Sequence, residues 1–205
     1  NNEDTLLIKN INKDINKIIE KNYNILKPII INQINKVHLL PYIVESIIEK
    51  SILHHIYIEY YVGILKEIKY TEKNNYIIKK CDKYHDLFFN NNLTNNFDDD
   101  NYSTLCDYNK NIDNIIGYSL LRTYLEKECI LNGYLKKVLE PFINNILNLD
   151  DDNDIFKIIT SIYNISNIYY KNKIFPQEYV EILQKLKNKT KSKKIKFKIM
   201  DILNE

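Results

Sequence analysis

Along most of this chain apolar residues return every three or four positions, the period of a helix with one buried face. Leu6, Ile11, Ile15, Ile18 and Ile19 set the first such stripe. Pro28 opens a second apolar run, from Ile29 to Val37. A proline suits the first turn of a helix, where its missing N–H leaves nothing unpaired. A third run starts at Pro41 and carries Val44, Ile47, Ile48 and Ile52. In the fourth, IYIEYYVGILKEIKY, the residues Ile58, Tyr61, Val62, Leu65 and Ile68 fall on one face. The fifth carries Ile77, Ile78, Cys81, Tyr84 and Phe88.

The period then breaks. NNNLTNNFDDDNYST, residues 90–104, clusters Asn and Asp without a sustained stripe and predicts a flexible loop at 90–110. Helical spacing resumes with Ile112, Ile115, Ile116, Leu120 and Tyr124, then runs through Leu131–Leu149, Ile155–Tyr170 and Pro176–Leu186. LDDDND, ahead of Ile155, supplies an N-cap and acids where the helix dipole favours them. The closing KSKKIKFKIMDIL is ambiguous, because Ile195-Lys196-Phe197-Lys198-Ile199 alternates as a strand would. A strand here has no partner, since nothing else reads as β. As a helix, Ile195, Ile199, Ile202 and Leu203 share a stripe, with Phe197 left off it.

The expected fold is therefore all-α, with about ten helices in five antiparallel pairs at about 40 residues per pair, the spacing of HEAT-like repeats. Stacked as a short right-handed solenoid, they form a single domain over residues 1–205.

Composition changes this picture little. Hydrophobic residues make up 44% of the chain, enough for a core. The excess of Asn, Ile, Lys and Tyr is what AT-rich codons produce, so single Asn or Lys residues carry little meaning. A net charge of +2 implies no whole-protein attraction to nucleic acid or membrane, so any basic surface is local. No apolar run is long enough to cross a bilayer. Cys81, Cys106 and Cys129 are odd in number, widely spaced and without a CxxC, which favours a reducing, intracellular setting. The chain starts at Asn1 and reads as a piece of a longer protein.

Candidate chemistry is sparse. His54 and His55 are neighbours on a helix and point about 100° apart, so they cannot share a metal. The DDDND run has Ile155 where a calcium loop needs its Gly and Ser161 where it needs its Glu. The three glycines form no phosphate loop, and no nucleophile sits in a catalytic context. The expectation is a protein that is not an enzyme and uses no metal or cofactor. Lys185, Lys187, Lys189, Lys191, Lys193, Lys194, Lys196 and Lys198 fall within fourteen residues. They are either a solvated face or a partner or RNA contact, and Phe197 alone is interleaved for stacking.

In that closing segment, Ser192, Ile195, Phe197 and Asp201 of SKKIKFKIMDIL match the end of the middle-domain family of eukaryotic translation initiation factor 4G, with Lys194 and Lys196 replacing arginines. INKIIEKNYNIL (15–26), VESIIEKSILHHIYIEYYVGIL (44–65) and YIIKKCDKYHDLFF (76–89) resemble the family's earlier helices in order. One departure is Arg122-Thr123, where the family often carries Gly-Glu, which implies a remodelled surface there. The resemblance implies five HEAT-like pairs that bind a DEAD-box RNA helicase of the initiation factor 4A type, gripping its lobes with the first and last pairs. It carries Ile15, Ile18, Tyr23, Lys194, Lys196 and Asp201 over as helicase contacts. It also implies possible mRNA binding, other initiation factors held outside this segment, and a cytoplasmic location, or a nuclear one for a splicing or cap-binding relative.

Overall fold

The computed structural model describes residues 2–89 and 102–205, with the side chains of 88–89 and 102–112 left aside. Ten α-helices account for most of this chain, and no strand occurs among the described residues. They are α1 (Asn2–Ile15), α2 (Tyr23–Gln33), α3 (Leu40–Leu53), α4 (Ile58–Glu67), α5 (Lys73–Phe89), α6 (Tyr102–Lys127), α7 (Leu135–Ile146), α8 (Asp152–Tyr169), α9 (Gln177–Lys189) and α10 (Lys193–Leu203). None of these is long and apolar enough to cross a membrane.

Consecutive helices pack in pairs, α1 with α2 through to α9 with α10. The second members form an unbroken ladder, α2–α4–α6–α8–α10. Among the first members, α1 touches α3, α3 touches α5 and α7 touches α9, while α5 and α7 lack comparable contact among the described residues. One apolar core runs the length of the stack, from Ile11 to Ile202.

The single-faced helices follow their stripes. Ile43, Val44, Ile47, Ile48 and Ile52 of α3 are buried, as are Ile58, Tyr61, Val62 and Leu65 of α4. Helix α6 differs, because it packs against α3, α4, α5, α7 and α8 at once. Ile115, Tyr118, Ser119, Leu121, Arg122, Thr123 and Leu125 are all buried, nearly around the whole helix. The expected stripe of Ile116, Leu120 and Tyr124 is only its half-buried flank. The buried hydroxyls are satisfied within the helix: Ser119 Oγ donates to the Ile116 carbonyl (2.8 Å) and Thr123 Oγ1 to that of Ser119 (2.6 Å).

The structure corrects three expected boundaries. Pro28 lies inside α2, whose first turn is at Tyr23. It stands on the exposed face with Asn24, where water can take the carbonyl its missing N–H leaves unpaired. Ile18 and Ile19 lie beyond α1 in a turn locked by Asn22, whose Oδ1 accepts from the Ile19 N–H (2.8 Å) and whose Nδ2 donates to the Lys17 carbonyl (2.7 Å). Of the loop expected at 90–110, residues 90–101 lie outside the described residues, while α6 is already helical from Tyr102. Once Ile115–Leu125 is packed as a helix, each residue added at its N-terminal end needs only propagation, which requires no apolar stripe.

The closing segment is a helix. Ile195, Ile199 and Ile202 are buried, Phe197 is 62% exposed, and Asn204 ends α10 in the left-handed conformation. At the other ambiguous acid run, Asp151 caps α8 by accepting from the N–H groups of Asn153 (2.8 Å) and Asp154 (3.0 Å).

Candidate interaction surfaces

At the first pair, the structure turns two expected contacts inward. Ile15 is 0% and Ile18 2% exposed, so neither can meet a partner while α1 stays packed. Ile15 serves the core where α1 faces α2 and α3, and Ile18 joins that core from the turn after α1. Tyr23 is half-buried, its ring 4.7 Å from that of Tyr60 on α4. Lys27 lies 5.2 Å above the Tyr23 ring and pairs with Glu67 at 2.5 Å. Burial raises the Tyr23 hydroxyl above the ordinary phenol range. Tyr23 thus ties α2 to α4.

What this end leaves to solvent is a different set. Ile25 is 65% and Ile29 42% exposed, one turn apart on α2 with Pro28 between them, and Ile19 is exposed in the preceding turn. The sequence did hold a signal for them. Helix α2 is apolar on two faces, Leu26–Ile30 and Ile25–Pro28–Ile29, and one stack can cover only one of these.

At the last pair, much of the basic tract is already engaged. Lys194 Nζ donates to Asn153 Oδ1 (2.9 Å) and sits 4.9 Å above the Phe156 ring. Lys198 lies 4.1 Å above Tyr163 and 3.9 Å from the Asp201 carboxylate. Both lysines clamp α10 onto α8 through the alkyl stem and cationic head together. Lys187 pairs with Glu205, holding that carboxyl below its usual range, and Lys189 donates to the Leu147 carbonyl (3.1 Å).

Of the expected RNA contacts, Lys185, Lys189, Lys191, Lys193 and Lys194 are exposed and Lys187, Lys196 and Lys198 half-buried, around the α9–α10 corner and along α10. Asp201 is exposed and borders an open polar groove between α8 and α10, about 500 Å³ in volume, with Tyr163, Asn167 and Tyr170 on the facing wall. Phe197 stands outside all of these contacts. It is the large apolar group α10 offers to solvent.

Elsewhere, His54 ends α3 and is exposed, and His55 begins the short turn before α4. No group of three metal-binding side chains converges among the described residues. Arg122 is not at a surface: it is 2% exposed, beneath the start of α7.

No family model matches this chain, and no curated protein matches it either.

Proposed function

We propose that this chain is a helical scaffold that binds a DEAD-box RNA helicase of the initiation factor 4A type and biases its ATPase cycle. Four stretches that resemble the initiation factor 4G middle domain fall, in order, on α1–α2, α3–α4, α5 and α10. Uncovered apolar groups occur along the stack, Leu53, Ile56 and Leu87 among them, and the observation that supports the reading is that both end pairs carry some. Ile25 and Ile29 stand on the first pair and Phe197 on the last, the latter flanked by Lys196 and Asp201.

A grip at two ends works by preferring one arrangement of the helicase lobes over another. A preference of about 1–3 kcal/mol changes a coupled equilibrium roughly 5- to 150-fold. Half-buried Tyr23 and exposed Lys194 each tie their helix to a neighbour beside the proposed docking faces.

The test is titration into the helicase of the same organism, following affinity and RNA-dependent ATPase rate together. Binding with stimulation, weakened by Ile25→Asp or Phe197→Asp in folded protein, is the expected result. No binding at high micromolar concentration overturns the reading. Binding to a helicase of decay or splicing instead would place the chain with a related middle-domain scaffold. A mainly RNA-binding role draws on the exposed Lys185, Lys189, Lys191, Lys193 and Lys194, and would appear as helicase-independent, salt-dependent RNA affinity.

A further inference from the structure

Arg122 is buried at mid-stack, and no carboxylate among the described residues pairs with it. Its side chain hydrogen-bonds the buried Cys81, its Nη2 reaches the Tyr134 carbonyl only at 3.4 Å, and its Nη1 is buried with no hydrogen-bond partner among the described residues. Helical spacing offers an acid four residues on, but Glu126 is spent elsewhere. Its two oxygens accept from the N–H groups of Gly133 (2.5 Å) and Tyr134 (3.2 Å), closing the turn into α7. A buried cation without its anion is the unfavourable half of an ion pair, and a native structure that retains one needs a reason for it.

The surroundings supply one. The guanidinium lies 5.9 Å from the ring of Tyr118 and 5.2 Å from that of Tyr134, which is half-exposed and roofs it. Exposed Lys137, one turn into α7, holds its ammonium 4.9 Å from the Tyr134 ring. On the facing helix α5, the half-buried His85 ring lies 6.4 Å from Tyr118. These groups come from α5, α6 and the start of α7, where α5 and α7 lack comparable contact among the described residues.

We propose that this α5–α6–α7 seam is a binding site for a small oxyanion, with Arg122 as the buried donor and Lys137 and His85 at the mouth. The guanidinium fork matches two oxygens of a phosphate or carboxylate, and turning the Tyr134 ring, an ordinary side-chain motion, admits the ligand. Burial, then the Arg122 charge, lowers the His85 pKa. Asp82 and Asp86 on α5 temper the positive field from their side.

The experiment titrates inorganic phosphate, and separately acetate, into the protein at constant ionic strength, with chloride as the reference. It reads melting temperature and the NMR signals of the Arg122 guanidinium and the Lys137 amide. Saturable shifts with either anion are expected, and the tighter of the two tells phosphoryl from carboxylate recognition. Arg122→Gln is expected to abolish the effect. Because that variant can also perturb folding, Lys137→Gln, at an exposed position, is the second arm. It is expected to weaken binding at least threefold, with Lys136→Gln unchanged. Shifts no larger than those in chloride, or a response indifferent to Lys137→Gln, would overturn the site.

Discussion

A β-carbon on Gly117 would lie 2.2 Å from the carbonyl oxygen of Ile52, so α6 and α3 meet there backbone to backbone. Gly63 is tight in another way, since its added carbon would meet only the Tyr23 hydroxyl, at 2.1 Å. An alanine gains up to about 1 kcal/mol of helix propensity over glycine, against about 1–3 kcal/mol for overpacking a core. Backbone at Ile52 cannot swing aside, whereas the far end of Tyr23 can. Gly117→Ala is therefore expected to lose about 2 kcal/mol, and Gly63→Ala to stay within about 1 kcal/mol of the parent. Urea midpoints of the two variants check the contrast.

Ile15 and Ile25 are both isoleucines of the first pair, at 0% and 65% exposure. Truncating a buried isoleucine costs about 2–5 kcal/mol, and a buried aspartate adds its own desolvation. Ile15→Asp is expected to unfold the protein or cut its denaturant midpoint severely. Ile25→Asp is expected to shift it by no more than about 0.5 kcal/mol, as surface changes do. Equal losses from the two would show that α1 and α2 are packed otherwise.

Asp4, in the first turn of α1, joins Lys36 Nζ at 2.8 Å and His38 Nε2 at 2.8 Å, tying α1 to the segment after α2. The hydrogen bonds from Lys36 and then His38 lower its carboxyl pKa from 3.8 to about 2. A carboxyl whose folded pKa is depressed stabilises the fold fully above its unfolded pKa and loses that contribution as pH falls through the folded value. The stability advantage of the parent over Asp4→Asn is expected to shrink below about pH 5 and to be lost once pH falls below the folded pKa of about 2. Denaturation of both proteins from about pH 5 downwards measures it, and an advantage that does not shrink over that range refutes the linkage.

Helices α3 and α4 were legible because each buries one face, and burial then copies the periodic stripe directly. Helix α6 was not, since it is enclosed nearly all round: Arg122 and Thr123 are buried there while Leu120 is half-exposed. The first pair shows the limit for sites. Ile15 and Ile25 look alike in sequence, and which of them is covered depends on where α3 and α4 come to lie. The lysine tract shows the same limit at longer range. Lys194 finds its acceptor in Asn153, 41 residues earlier, and Lys189 finds Leu147, 42 residues earlier. Local patterning gives no hint of these pairings. The cap at Asp151 was readable because its donors are two and three residues away.

The uneven layering of the stack has a mechanical meaning. Along α4, α6 and α8 the helices are bound edge to edge like a spine, while on the other side α5 and α7 stand apart among the described residues. Bending compliance is then expected to be one-sided, greater on the α5 and α7 side than along α4, α6 and α8. A pair of spin labels on α3 and α9 is expected to show a broader distance distribution than a pair on α4 and α8. A protein so built holds its two ends at a variable span, as calipers do.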